Sequence, residues 1–246
     1  MRSLAKESAE NLKALFDNTS VKSGLSPAIV EKDFWVCLAL DYLFKDSPWR
    51  KHLAFKGGTS LSKAFNLIKR FSEDIDLILD WRLIGYGIDE PWRERSNTQQ
   101  DIFNEQANGK SADFLRDEFV PKLKRGLGEI VARELDIRID EDDPNTVVFA
   151  YPCVFTDSAI LREIRIESGS LAAWTPARPR PISPYAELPR PSRYFLHHPR
   201  REGYRQVAGN AAVSAAGGES RKRLQNGPFV GSVPQVFHAQ ILGGCF

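Results

Sequence analysis

Two aspartates two residues apart, Asp74 and Asp76, open a short apolar run, Leu77-Ile78-Leu79. On a strand, residues i and i+2 point to the same face and lie about 6–7 Å apart. Their carboxylates could therefore converge on one Mg²⁺ or straddle two. Without a cation the two carboxylates would repel each other. The pattern favours a divalent-metal site, although a solvated strand end can carry the same residues.

A glycine turn precedes this pair. The segment Lys56-Gly57-Gly58-Thr59-Ser60 follows the apolar run Leu53-Ala54-Phe55. Two glycines between a strand and a helix let the backbone approach a ligand closely, and the start of the helix presents free N–H groups to a phosphate. The same residues could form an ordinary turn with a helix cap, and neither Walker-loop nor GxGxxG spacing is present. Turn and aspartates together predict a nucleotide and metal site within residues 53–80.

Strand, turn, helix and strand must position these residues. A helical pattern runs from Leu61 to Arg70, and the alternation of acids and aliphatics from Ser72 predicts the second strand. Before the site, we expect a helix over residues 3–17 and another from Pro27 to about Lys45, with Ser26 as its N-cap.

The second of these helices carries a charged trio, Glu31-Lys32-Asp33, near its first third. We interpret the trio as a solvated face, and a role near the site is the alternative.

Beyond the site, the pattern over residues 99–135 predicts two helices broken near Lys110 or Pro121. Three strands follow, over 135–140, 147–152 and 160–167, and the first two should pair as a hairpin. The prolines between 174 and 192 exclude a helix or a central strand there.

Composition sets broader limits. The chain has 246 residues, 42% of them hydrophobic, which is enough for a real core. Three widely spaced cysteines favour a reducing, cytoplasmic compartment, and no apolar run is long enough to predict a signal peptide or a membrane span. Charge is uneven, with a net of −3 over residues 1–186 and +5 over residues 187–246.

Two runs carry a family resemblance: Lys56-Gly57-Gly58-Thr59-x-Leu61, and Arg70-Phe71-Ser72-Glu73-Asp74-Ile75-Asp76-Leu77. They closely resemble the signature of the AbiEii/AbiGii-type nucleotidyltransferase toxins, which belong to the DNA polymerase β-like nucleotidyltransferase superfamily. The resemblance implies an α+β nucleotidyltransferase fold, with a mixed β-sheet flanked by helices. We accordingly expect N-terminal helices over residues 1–48, a nucleotidyltransferase core over 49–186, and a poorly ordered, basic tail over 187–246.

The resemblance also implies roles for individual residues. The triphosphate-binding turn would be Gly57, Gly58 and Thr59, and the other nucleotide-binding candidates are Lys56, Ser60, Arg70 and Ser72. The catalytic metal ligands would be Asp74 and Asp76, with Glu167 as the candidate third carboxylate. Glu167 could instead be an outward-facing partner of Arg165, and Glu163 is then the fallback on the same face.

By the same resemblance, the chain would transfer a nucleotide from an NTP, with Mg²⁺ or Mn²⁺ as cofactor. Its acceptor could be RNA, such as the tRNA 3′ end. It would be the toxin of a bacterial toxin–antitoxin or phage-exclusion pair, with its antitoxin encoded nearby.

Residues 187–246 do not resemble the family. A frameshifted or truncated gene would explain them and would leave an inactive remnant that at most binds nucleotide. A basic tail that contacts RNA phosphates is the rival explanation of this segment. For the chain as a whole, the alternative hypothesis is an interaction module in which the acidic and glycine motifs are purely structural.

Overall fold

The computed structural model describes residues 1–65, 67–68, 71–157, 160–169, 178–186 and 241–245. Its helices are α1 (Ala9–Ser23), α2 (Pro27–Lys45), α3 (Gly57–Lys63), α4 (Asn97–Phe114) and α5 (Val120–Val131). Its strands are β1 (Leu53–Lys56), β2 (Ile75–Leu79), β3 (Asp136–Ile139), β4 (Thr146–Ala150), β5 (Ile164–Gly169), β6 (Arg178–Ile182) and β7 (Ile241–Cys245). Short 3₁₀ turns lie at Leu4–Lys6, Trp81–Ile84 and Glu90–Trp92.

Local sequence signals explain most helix boundaries. Ser8 and Ser26 cap α1 and α2 by accepting the backbone N–H of Asn11 and Ile29. A capping box of Ser96 and Gln99 starts α4. The helix predicted from Pro27 to about Lys45 is confirmed.

Two helix predictions need correction, and a third is confirmed at one of its two alternatives. The first helix, predicted over residues 3–17, lies later, over Ala9–Ser23 with Ser8 as its N-cap. The helix after the glycine turn ends at Lys63, well short of Arg70. The two helices predicted over residues 99–135 are present as α4 and α5, but they meet at the π-helical turn Leu115–Phe119, just before Pro121, and not at the alternative position Lys110.

The described strands form one mixed sheet in the order β3-β4-β5-β2-β1-β7-β6. The pairs β3–β4, β4–β5, β1–β2 and β1–β7 are antiparallel, whereas β2–β5 and β6–β7 are parallel. The predicted hairpin is therefore confirmed as β3 and β4. Strand β6 contains Pro179 and Pro181 and lies at the edge of the sheet, the position in which a sheet tolerates proline.

The chain is thus an α+β protein with a mixed sheet flanked by helices, as the sequence predicts. The poorly ordered tail is expected over residues 187–246. Of these, 187–240 and 246 lie outside the described residues, whereas 241–245 form β7. Within the described part of the chain, no helix is long and apolar enough to cross a membrane.

The two faces of the sheet differ in character. One packs against the helices and joins the main hydrophobic core through Leu53, Phe55, Leu77, Ile166 and Phe149. Because side chains alternate along a strand, the residues between these point to the opposite face. The predicted site residues of β1, β2 and β5 lie on that opposite face, so the core holds the strands in place beneath the site.

Candidate active site

Three predicted site residues stand in one row across the centre of the sheet. Lys56 of β1 is directly opposite Asp76 of β2, and Asp76 is paired in turn with Glu167 of β5. Paired residues on neighbouring strands share a face and lie about 5 Å apart. The register therefore gathers a lysine and two carboxylates on one surface, from residues as far apart in sequence as Lys56 and Glu167.

Asp74 lies immediately before β2 and completes the acidic group. Burial raises its pKa, and the neighbouring Glu73 and then Glu167 raise it further. The pKa of Asp76 is raised to about 6, first by burial and then by Glu167, while Lys56 lowers it. The carboxylates thus repel one another.

The register favours Glu167 over Glu163 as the third carboxylate. Glu163 precedes β5 and lies 3.6 Å from Arg138, an Nη2–Oε2 distance, outside the row that contains Asp76. The alternative partner of Glu167, Arg165, forms its ion pair with Asp140 at 2.7 Å. Neither observation assigns a role to Glu167, which stays a prediction.

Gly57 brings the glycine turn against the acidic strand. Its φ is +76°, in the region where glycine is favoured. A Cβ added there would lie 1.7 Å from Oδ2 of Asp76. Gly58 is also close, since its Cβ would meet Oγ of Ser72 at 3.0 Å. Only a residue without a side chain lets the turn lie directly over Asp76.

Thr59 fastens the turn to the same strand. Its buried hydroxyl lies 2.6 Å from the backbone oxygen of Asp74 and 2.9 Å from Oγ of Ser72. Having one hydrogen, it donates to the carbonyl oxygen and accepts from Ser72. The hydroxyl of Ser60 is likewise used internally, donating to the backbone oxygen of Gly57 at 2.9 Å. In this structure both hydroxyls hold the turn in shape, so phosphate contacts would fall to the backbone N–H groups.

Arg70 lies outside the described residues. Among the described cations, Lys56 is paired with Asp76 in the strand register and acts to lower its pKa. Lys32 and Arg165 act to lower the pKa of Asp74. A cavity of about 460 Å³, lined in part by Tyr42, Lys122 and Glu129, includes none of the candidate site residues.

The interpretation of Glu31, Lys32 and Asp33 as a solvated face is wrong. Each is at most 1% exposed. The missed signal was α2 itself, which is apolar on almost all sides, and a helix of that kind is buried. Charges inside such a helix need partners, and Lys32 finds one in Glu73, next to Asp74.

The oxygen donors suit a hard divalent cation. Carboxylates with room for water and phosphate oxygens are what Mg²⁺ and Mn²⁺ prefer. As the side chains stand, no three His, Cys, Asp or Glu of the described residues form a ready metal cluster. The mutual repulsion of Asp74, Asp76 and Glu167, which raises the pKa of both aspartates, fits a cation that would draw the carboxylates together.

Comparison with known proteins gives one family. The model described as "Nucleotidyl transferase AbiEii toxin, Type IV TA system" matches residues 39–202, two thirds of the chain. The match continues past residue 186, where the resemblance in the sequence ended. Comparisons with curated proteins and with solved structures returned no match.

Proposed function

The chain belongs to the AbiEii nucleotidyl transferase toxin family of type IV toxin–antitoxin systems, and we propose that it transfers a nucleotide from an NTP to an acceptor hydroxyl in a metal-dependent reaction. The observation that carries this proposal is the row of Lys56, Asp76 and Glu167, with Gly57 packed on Asp76. A phosphate-binding turn and its carboxylates need to meet at one point, and the contact between Gly57 and Asp76 supports the proposal on this ground.

Asp74, Asp76 and Glu167 would hold Mg²⁺ or Mn²⁺. When bound, the metal would neutralise phosphate charge and activate the attacking hydroxyl. The backbone of Gly57 and Gly58 would bind the triphosphate, and Lys56 would add a positive charge beside it. Arg70 remains a nucleotide-binding candidate from the family resemblance.

In the reaction, the acceptor oxygen bonds to the α-phosphorus as the bond to the pyrophosphate oxygen breaks. The hydroxyl proton passes to a nearby carboxylate or to water, and pyrophosphate leaves with the charge of the broken bond. The residues of this chain contribute chiefly by holding the reacting groups in line and by offsetting their charge.

RNA, with the tRNA 3′ end as one case, is the acceptor class that we propose. Family membership also implies a cognate antitoxin as partner.

The test is label transfer. The protein is incubated with each labelled NTP, Mg²⁺ and total RNA, alongside Asp74→Ala and Asp76→Ala variants. We expect transfer by the wild type and a loss of about 10²–10³-fold in each variant, the scale seen when charge stabilisation at a reacting centre is removed. Asp117→Ala, which changes an exposed carboxylate on the turn between α4 and α5, is the matched control.

Each outcome has a separate meaning. Transfer that persists in both aspartate variants would refute the proposed site. NTP binding that requires Mg²⁺, without transfer to any RNA, would favour the inactive remnant. Absence of both binding and transfer would favour an interaction module.

A further inference from the structure

One turn of α2 carries three consecutive charged side chains into the interior. Glu31, Lys32 and Asp33 are 1%, 1% and 0% exposed. Removing a charge from water costs roughly several kcal/mol unless a partner compensates for the lost hydration. The partners of these residues therefore show which other segments of the chain this turn of α2 is attached to.

Lys32 holds the segment that enters β2. Its ammonium, 1% exposed, forms an ion pair with the carboxylate of Glu73, which is 38% exposed. Glu73 directly precedes Asp74, and β2 begins one residue later. The pair therefore ties α2 to the backbone that presents Asp74 and Asp76.

Asp33 holds the other half of the site. It forms an ion pair with Lys63, the last residue of the helix that begins at Gly57. It also accepts the backbone N–H of Tyr185 at 2.6 Å. Lys63 is 5% exposed and donates to the backbone oxygen of Ser183 at 2.9 Å, so the glycine helix is anchored at its far end.

We propose that Lys32 and Asp33 are positioning residues of the nucleotidyltransferase site. From adjacent positions on α2, Asp33 holds α3 and Lys32 holds the start of β2, so that the two elements keep a fixed spacing. The inference rests on the proposed function but lies outside the family match, which begins at residue 39. Stability alone does not explain such pairs, because buried ion pairs are often no more stabilising than well-packed apolar side chains. What they add is a defined geometry for the segments they join.

The sharpest variant is Lys32→Met. It removes the charge and keeps a long side chain, and the Glu73 that it frees is exposed enough to be solvated. The variant should therefore fold. Asp33→Asn would instead leave Lys63 buried without its carboxylate, which could unfold the chain and confuse the result.

The first measurement is the affinity for Mn²⁺, by titration of the full chain without nucleotide. Removing a positive charge near carboxylates should, through electrostatics alone, tighten cation binding. Loss of positioning should weaken it, and we expect about 10–100-fold, the usual effect of an outer-shell partner. Lys13→Met, which removes an exposed lysine paired with Asp17 at 2.8 Å, should leave the affinity unchanged, and Asp74→Ala establishes that the signal comes from the site.

The second measurement needs no metal. Amide hydrogen exchange in Lys32→Met should become faster at residues 72–77, with the rest of the described chain unaffected. A variant that binds Mn²⁺ as tightly as the wild type or more tightly, with unchanged exchange at 72–77, would overturn the inference and leave the proposed function standing. If the wild type neither binds Mn²⁺ nor transfers label, the proposed function fails, and the exchange data still decide whether Lys32 positions this segment.

Discussion

Replacing Gly57 by alanine tests the contact on which the candidate site depends. The added Cβ would lie 1.7 Å from Oδ2, 2.3 Å from Cγ and 2.9 Å from Cβ of Asp76. A change of rotamer could move Oδ2 and Cγ away, but the Cβ of Asp76 moves only with its backbone. Gly57→Ala must therefore displace the turn, β2, or both.

Two costs add up in this variant. An alanine at a φ of +76° loses about 1–2 kcal/mol relative to an ordinary conformation. Overpacking of a tight contact typically costs about 1–3 kcal/mol more. We expect the free energy of unfolding to fall by about 2–5 kcal/mol, and label transfer to be lost with it, because Asp76 no longer stands in its row.

Gly24→Ala is the matched control, because Gly24 has nearly the same φ as Gly57 but no contact like that with Asp76. Gly24 ends α1 with a φ of +73°, and a Cβ there would meet nothing within 4 Å. This variant should show the backbone cost alone, about 1–2 kcal/mol, with transfer activity unchanged. Denaturant unfolding is measured for both variants, and the transfer assay is run at denaturant concentrations below their unfolding transitions. Together the two measurements separate the cost of the contact from the cost of the backbone conformation.

A double variant sharpens the test. Asp76→Ala removes Oδ2 and Cγ, the two closest of the three atoms, so Gly57→Ala should cost less in that background than in the wild type. The reasoning is refuted if Gly57→Ala costs no more than Gly24→Ala, if its cost is the same in both backgrounds, or if it transfers label at the wild-type rate.

Three further predictions concern stability. Thr59→Val should cost about 1–3 kcal/mol in denaturant unfolding, because the backbone oxygen of Asp74 loses its buried donor; Thr19→Val, whose hydroxyl bonds within its own helix, should cost clearly less, and equal costs would contradict the assignment. Because the pKa of Asp76 is raised to about 6, the folded chain binds this proton more tightly than the unfolded chain, so stability in EDTA should fall as pH rises from about 4 to above 6. The fall should amount to about 1–2 kcal/mol after allowance for solvent screening. Asp76→Asn should remove it, as measured by thermal unfolding at pH 5 and pH 8. An unchanged pH dependence in this variant would contradict the assignment to Asp76. Glu31→Ala should cost about 2 kcal/mol or more, because two backbone N–H groups, at 2.6 and 3.1 Å, lose their acceptor, and a neutral result would mean that water replaces the carboxylate.

The parts of the site that depend on near neighbours could be predicted from the sequence. Ser26 and Pro27 mark the start of α2 through contacts within one turn. The alternation that follows Asp74 places Asp76 on the face of β2 opposite Ile75, Leu77 and Leu79, a consequence of strand geometry alone. Gly57 could be suspected because glycine is favoured where the backbone must come close to another group.

The row itself could not be predicted without the fold. Asp76 meets Glu167 only because β2 and β5 are parallel neighbours with one particular register. A shift by one residue would turn Glu167 to the core face, and no local pattern determines the register between strands that are separated by two helices and a hairpin. Family resemblance could name Glu167 as a candidate, but only the register places it beside Asp76.

The burial of Lys32 and Asp33 shows the same limit from the other side. A charge run on a helix is solvated when its partners are water, and buried when the fold brings partners from elsewhere, here Glu73, 41 residues away, and Tyr185, 152 residues away. What the sequence did contain was the apolar surround of α2, which leaves no polar face for the run to occupy. Charged residues within such a helix must be paired inside the protein, so a buried charged turn next to a predicted site is better treated first as part of the framework of that site.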